Sequence, residues 1–289
     1  MRVLITGARG QLAQQLAQCV PHWADARFVG RAELDLSDSR ACAEAVESWK
    51  PDWLINAGAY TAVDQAESDQ AVASAVNAGA PQAFAQALDR CGGRLLQVST
   101  DFVFDGAQGC PYQPDQPLSP LGIYGATKAD GEARVADALP VDRFCILRTS
   151  WVYGPVGRNF MRTMLNLHAE RDQLKVVADQ VGCPTATVGL SQACWRALER
   201  QQSGILHWSD AGAASWYDFA VAIGELAQMS GLIASAAAVV PIPASSYPTP
   251  ARRPSYSLLE CTGTRAALDL PAVHWRERLK QVIRSMVQL

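Results

Sequence analysis

The chain opens on a short apolar run, Arg2-Val-Leu-Ile-Thr6, that ends directly in Gly7-Ala-Arg-Gly10-Gln11-Leu12-Ala13. A helical pattern follows through Leu12, Leu16, Cys19 and Val20. No other feature limits the fold so tightly. An apolar run of this kind becomes a buried parallel strand, and G-x-x-G-x-x-A between strand and helix is the turn of a dinucleotide-binding βα unit. Gly7 permits the tight turn, Gly10 lets backbone approach a pyrophosphate, and Ala13 allows close helix–strand packing. The helix N-terminus at Gln11 and Leu12 offers unpaired N–H groups and a positive dipole end to the phosphates. An ordinary βα turn with incidental glycines is the alternative, and so clearly marked a strand favours the nucleotide reading.

Strand-like and helix-like segments then alternate. Arg27–Val29 reads as strand two, Ser37–Trp49 as a helix, Asp52–Asn56 as strand three, and 68–90 as an alanine-rich helix. Arg94–Ser99 reads as strand four, the helix carrying Tyr124 runs to about Ala138, and Phe144–Arg148 and Leu174–Ala178 are strands five and six. Such alternation predicts an α/β fold: a doubly wound, mostly parallel Rossmann sheet, with a smaller α/β substrate-binding domain. Residues 1–150 are expected to form the dinucleotide-binding domain, with about 174–200 returning to pack on it. Residues 151–289 are expected to build mainly the substrate side. Alanine-rich helices are expected at 71–87 and 234–238.

In this architecture ligands lie outside the carboxyl ends of the strands, and the chain's polar clusters stand there. After strand two comes Gly30-Arg31-Ala-Glu-Leu-Asp35-Leu36. A basic residue at this point suits a 2′-phosphate, so Arg31 favours NADPH over NADH, unless it is a plain surface charge. Asp35 and Leu36 would flank the adenine. After strand three, Ala59-Tyr60-Thr61 lies among small residues that let backbone approach a cofactor. Ser99-Thr100-Asp101-Phe102 follows strand four, and Tyr124-Gly-Ala-Thr-Lys128 opens the next helix. At i and i+4 the phenol and ammonium share one helix face, and a cation beside a phenol is expected to lower the tyrosine pKa toward working pH.

Composition excludes other classes. The formal net charge is −3, with no basic footprint for nucleic acid. Eight cysteines are scattered without a C-x-x-C pair, and four histidines form no ligand-spaced cluster, so neither a disulfide framework nor a zinc site is expected. The chain enters its first strand at once, leaving no room for a secretory leader, and its most apolar late stretch, 232–240, is too short to span a bilayer. A cytoplasmic protein without membrane association is expected.

Taken together, these strings resemble the extended short-chain dehydrogenase/reductases along nearly the whole chain. The segment Asn56-x-x-Ala59-Tyr60-Thr61-Ala62-Val-Asp64, Ser-Thr-Asp-x-Val-Phe-x-Gly at 99–106, Tyr-Gly-x-Thr-Lys and Arg148-Thr-Ser-Trp151-Val-Tyr carry the resemblance. With Ala178-Asp-Gln-x-Gly-x-Pro-Thr185, Ser215-Trp-Tyr217 and Tyr247-Pro-Thr-Pro-Ala-Arg252-Arg253-Pro254, they are similar to the dTDP-4-dehydrorhamnose reductase subfamily. The resemblance implies reduction of a dTDP-bound 4-keto sugar with NADPH (NADH possible), in making a rhamnose donor for bacterial surface polysaccharide. It implies that Tyr124 is the acid, that Lys128 tunes it and bonds the nicotinamide ribose, and that Thr100 holds the ketone oxygen. Asp101 and Trp151 would be sugar contacts. Arg252 and Arg253, boxed between prolines, suit a diphosphate clamp. Duller roles stand beside these: Thr100 could cap its loop, Trp151 could be core, and the two arginines a solvated pair.

Two departures from the family pattern matter. Some members bind magnesium at a dimer interface through a glutamate in the first helix, where this chain has Gln14-Gln15, and Ala186 replaces a later expected glutamate. Amides are poor ligands for a hard dication, so metal-independent activity and a monomer or weak homodimer are expected. Phe102 stands where tyrosine is commoner. The competing readings are another nucleotide-sugar enzyme on this scaffold, a non-catalytic NADP-binding regulatory subunit, and a structural Rossmann module.

Overall fold

The computed structural model describes residues 1–287. In the first half, β1 (Arg2–Thr6), β2 (Asp25–Val29), β3 (Trp53–Asn56), β4 (Arg94–Thr100) and β5 (Phe144–Thr149) pair in parallel in the order β5-β4-β3-β1-β2. Alternation along β1 divides the packing: Val3 and Ile5 face one core and Leu4 the other. The Leu4 core is closed by α2 (Ser39–Trp49), α5 (Ala80–Cys91) and α6 (Ile123–Ala138), through Val46, Phe84, Leu88 and Val135. The Val3 core is closed by α1 (Gln11–Gln18), through Leu12 and Leu16.

The alanine-rich stretch is not one helix. It divides into α4 (Gln70–Ser74), preceded by the short α3 (Val63–Ala66), then a π-helical segment at Ala75–Gly79 that runs into α5. Pro81 explains the break. It has no N–H to bond the Asn77 carbonyl, so the backbone widens by a residue before the helix resumes.

Past β5 the chain builds a second lobe and returns twice. β6 (Val152–Tyr153), α7 (Phe160–Glu170), β7 (Gln173–Val177), β8 (Val181–Gly182) and β9 (Thr185–Ala186) lead into α8 (Thr187–Glu199) and β10 (Gly204–Trp208). Leu190, Ala193, Cys194 and Leu198 of α8 pack into the Val3 core, and β10 extends the main sheet beside β5. The expected return of 174–178 is therefore corrected. The helix returns, but that strand pairs in parallel with β12 (Ala238–Ile242) in the second lobe, and β10 is the sixth strand of the sheet. Positions 234–237 are not helical, and the following Val239-Val240-Pro241 run is extended.

The second lobe closes on α9 (Trp216–Met229), entered through β11 (Ala214–Ser215), and on α11 (Trp275–Val287), whereas α10 (Thr262–Leu268) packs beside α8 and β10 with Leu268 in the Val3 core. Ser215 and Asp218 form a reciprocal capping box at the start of α9. Phe219, Ile223, Leu279 and Ile283 fill this lobe's core with Tyr153 and Met161. Among the described residues no helix is long and apolar enough to cross a membrane.

Candidate active site

Helix α6 brings its first turn against the end of β4. The Glu67 carboxylate accepts the Ile123 N–H at 2.9 Å and so satisfies one free donor of the helix start. Gly125 is packed so closely that a Cβ there would lie 2.2 Å from the Phe102 carbonyl oxygen. This approach seats Tyr124 beside Thr100 and Asp101, with its ring edge-on to Phe102 at 5.6 Å. Thr100 both caps and adjoins. Its oxygen accepts the Phe102 N–H at 3.2 Å, and its hydroxyl donates to Asp101 Oδ1 at 3.1 Å.

The electrostatics differ from the simple Tyr-x-x-x-Lys expectation. Burial of the phenol dominates and pushes the Tyr124 pKa up to about 12, with Thr100 pulling it down and Asp101 adding to the rise. Lys128 is not among the groups that lower it; its ammonium donates to the Val98 carbonyl at 2.6 Å. Burial brings Lys128 itself down to about 8, while Glu132 opposes the fall. The expected lowering of the tyrosine is thus absent in the cofactor-free chain, and Tyr124 is held as a protonated phenol. Asp101 is raised to about 6 by desolvation, and its Oδ2 is buried without a partner.

A continuous hydrogen-bond chain joins this cluster to the glycine turn. The Gly58 N–H donates to Thr6 Oγ1 at 3.1 Å, and Thr6 to Asn56 Oδ1 at 2.6 Å. Asn56 then donates to Gln97 Oε1 at 2.8 Å, and Gln97 to the Val98 carbonyl at 2.9 Å, the same oxygen that Lys128 uses. Gly7 takes φ +72°, and a Cβ on it would lie 2.8 Å from Gly58 Cα, so the turn fits only a residue without a side chain. Gly10 is exposed just before the α1 N-terminus, with no side-chain cap. The turn is therefore an open cradle of backbone N–H groups that suits a pyrophosphate.

The other cofactor candidates line this rim unequally. Asn77, in the π segment, pins the Tyr60 backbone by accepting its N–H at 2.9 Å and donating to its carbonyl at 3.1 Å. Ala59 is half-buried and Thr61 exposed. Leu12 is core, so only its backbone can face a ligand, and Leu36 packs under Gly58. Gln11 ties the halves together, donating to the Val152 carbonyl at 3.1 Å and accepting from Asn159 at 3.2 Å. Arg31 projects into solvent with a loose 3.6 Å pair to Asp35, whose Oδ1 accepts from both the N–H and hydroxyl of Ser37.

On the second-lobe side, Trp151 is half-buried, takes φ +46° and stacks on Trp216 with centroids 3.5 Å apart. Trp216, expected only to pack a helix, thus builds the wall behind Trp151. The two arginines separate. Arg252 is exposed, with no side-chain partner among the described residues, whereas Arg253 grips Asp64 of α3 bidentately at 3.0 and 2.8 Å. Arg253 is therefore not a free anion clamp as it stands.

One buried group escaped the sequence reading. Glu132, four residues beyond Lys128, pairs with the fully buried Arg148 at 2.7 Å and accepts from Ser99. Its i+4 position after the lysine was the available signal. Among the described residues no group of three or more His, Cys, Asp or Glu side chains could hold a metal. Gln14 donates to the Arg9 carbonyl at 2.8 Å.

Comparison with known proteins identifies the family. The family model described as RmlD substrate binding domain matches residues 1–288. A dTDP-4-dehydrorhamnose reductase of Burkholderia thailandensis is 40% identical over 300 residues, covering 99% of each chain. The crystal structure of a dTDP-4-dehydrorhamnose reductase from Clostridium acetobutylicum is similar with TM-score 0.92 at 36% identity, covering 100% of both chains. One from Bacillus anthracis, solved in complex with NADP, matches with TM-score 0.92 at 33% identity over 98% of this chain and 99% of its own. By sequence over its full length, and by fold, the chain belongs to the dTDP-4-dehydrorhamnose reductase family.

Proposed function

We propose that this chain reduces the 4-keto group of dTDP-4-dehydro-β-L-rhamnose with NADPH, giving dTDP-L-rhamnose. The observation that carries the reading is the cluster at the end of β4. A protonated phenol, a hydroxyl, an unpartnered carboxylate oxygen and a buried ammonium converge there, wired through Asn56 and Gln97 to the Gly7 turn. The open backbone cradle between Gly7 and Gln11 suits the pyrophosphate of a dinucleotide, and Arg31, exposed and only loosely paired with Asp35, suits a 2′-phosphate. NADPH, when bound, supplies the hydride.

The residues do the rest. Tyr124, held in its phenol form by burial, donates its proton to the carbonyl oxygen as negative charge develops there. Thr100, anchored between Asp101 and the Phe102 N–H, fixes the position of that oxygen. Lys128 supplies positive charge behind the phenol, which stabilises the phenolate left after proton transfer. Asp101, buried behind Thr100 and accepting its hydroxyl, lies beneath the sugar pocket, which the Trp151–Trp216 stack walls. Residues 1–150, with α8 and β10, hold the cofactor, and most of the remainder holds the nucleotide sugar. The chain acts without a divalent metal, as a monomer or weak homodimer.

The test is NADPH oxidation by the purified chain, with the keto sugar generated in situ by upstream enzymes. Turnover dependent on the keto sugar supports the reading. Tight NADPH binding without turnover refutes it and favours a regulatory subunit.

A further inference from the structure

Three buried polar side chains cross the sheet beneath the site. Thr6, Asn56 and Gln97 each lie two residues past a leucine of the Leu4 core (Leu4, Leu54 and Leu95), so all three project from that face of the sheet. Asn56 and Gln97 are register partners, and Thr6 stands beside them on β1. None is more than 2% exposed, so their donors and acceptors have to find partners within the protein.

The direction of this row is fixed from both ends. The Gly58 N–H can only donate, so Thr6 Oγ1 accepts it at 3.1 Å and donates its own hydroxyl hydrogen to Asn56 Oδ1 at 2.6 Å. The Val98 carbonyl can only accept, so Gln97 Nε2 donates to it at 2.9 Å and leaves Oε1 for Asn56 Nδ2 at 2.8 Å. Flipping either amide would set two acceptors face to face. Gln97 is therefore committed as a donor to Val98. That oxygen has a second donor. β3 ends at Asn56, so Val98 has no β3 partner, and the Lys128 ammonium reaches its carbonyl at 2.6 Å from α6. Both lone pairs of the oxygen are thus taken, one by the amide and one by the ammonium.

Lys128 has another duty, to the phenol and, when the cofactor is bound, to its ribose. The Val98 oxygen lies between side chains that are only 2% and 4% exposed, those of Gln97 and Lys128. An acceptor so enclosed, left with no donor, costs the full desolvation of the group. Gln97 removes that cost, because its amide stays on the oxygen whichever way the lysine turns. We propose that Gln97 is a positioning residue of the reductase site: as reserve donor it keeps the Val98 carbonyl satisfied and so frees Lys128 to turn to the cofactor ribose. This rests on the reading of Lys128 as the cation that bonds the cofactor.

Urea unfolding of the cofactor-free protein reads the shared oxygen first. Gln97→Met and Lys128→Met each leave the Val98 carbonyl one donor, and together they leave it none. The unfolding constant of the double variant should therefore exceed the product of the two single effects by about tenfold. A value within about twofold of that product overturns the proposal. Should the double variant not fold, ligand binding to Gln97→Met alone decides. Its Kd for NADPH, read by fluorescence titration, should rise about tenfold, because Lys128 now has to abandon a carbonyl with no other donor. Its Kd for adenosine 2′,5′-bisphosphate, which lacks the nicotinamide ribose, should stay within about twofold of wild type. Equal weakening of both ligands, or of neither, overturns the proposal and leaves Gln97 as a support of the Gly7 turn. Because the unfolding cycle needs neither cofactor nor turnover, an inactive wild-type chain would sink the functional reading and leave the outcome of the cycle standing.

Discussion

Gly125→Ala isolates geometry from chemistry at the site. An added Cβ would lie 2.2 Å from the Phe102 carbonyl oxygen and 3.0 Å from Pro120 Cβ, where real Cβ contacts essentially never fall below 3.0 Å. Roughly 0.8 Å must therefore be found, and the obstruction is backbone rather than a mobile side-chain end. If α6 moves, it carries Tyr124 away from β4. If the turn moves, it carries Thr100, because the Phe102 N–H is bonded to Thr100 Oγ1. Either way the phenol and the hydroxyl part. A misplacement of about 1 Å costs on the order of 10²-fold in rate. Stability should change much less. Overpacking costs about 1–3 kcal/mol, and replacing glycine inside a helix returns about 1 kcal/mol. A net loss of about 0–2 kcal/mol leaves most domains folded. The expected result is a kcat for NADPH oxidation about 100-fold lower, with a denaturation midpoint close to wild type. A kcat within about threefold of wild type would show that this contact does not set the site's geometry.

Tyr124→Phe should lower kcat by about 10²–10⁴-fold while NADPH affinity, read by fluorescence titration, hardly changes; an undiminished rate refutes the acid role. Arg31→Asp should shift the ratio of kcat/KM values toward NADH, and an unaltered ratio makes Arg31 a bystander. Asp101 is raised to about 6 in the fold, so its contribution to stability is full below its ordinary value of 3.8 and lost as pH rises through 6. Asp101→Asn should therefore flatten the decline between pH 4 and 7 by about 2–3 kcal/mol in urea unfolding, leaving the part due to Asp210, raised to about 7. EDTA should leave turnover unchanged, and a magnesium requirement would overturn the reading of Gln14 and Gln15.

The features legible in the sequence are those whose partners lie a few residues away. The strand–turn–helix at Gly7 is set by local backbone demands, and the structure reproduces it at β1 and α1. The pattern at 174–178 reads as a strand, observed at Gln173–Val177, but pattern does not say which sheet it joins, because register and neighbour depend on the whole chain. The five residues of β10 follow a long helix and carry half-exposed Ile205 and Leu206. Their alternation is too short to stand out, although they complete the sheet. The run at 234–238 read as helical from alanine propensity, and the extended pairing of β12 with β7 prevailed over that weak preference.

Charges were harder to read than elements, because what a charged side chain does depends on what it already holds. Arg252 and Arg253 look equivalent in sequence, both in a proline-bounded loop and both suited to a diphosphate. In space, Asp64 stands 189 positions earlier and takes Arg253 in a two-point grip, which Thr249 and the Ala251 carbonyl also support. The Ala251 N–H donates to the same carboxylate at 3.2 Å, and the Arg253 hydrogen bonds lower the Asp64 pKa. A diphosphate that recruited Arg253 would have to replace two charge-assisted bonds and leave Asp64 facing added negative charge. Arg252 bears neither cost. The pair therefore divides, with Arg253 tying its proline-bounded loop to Asp64 of α3 and Arg252 left exposed without a side-chain partner among the described residues.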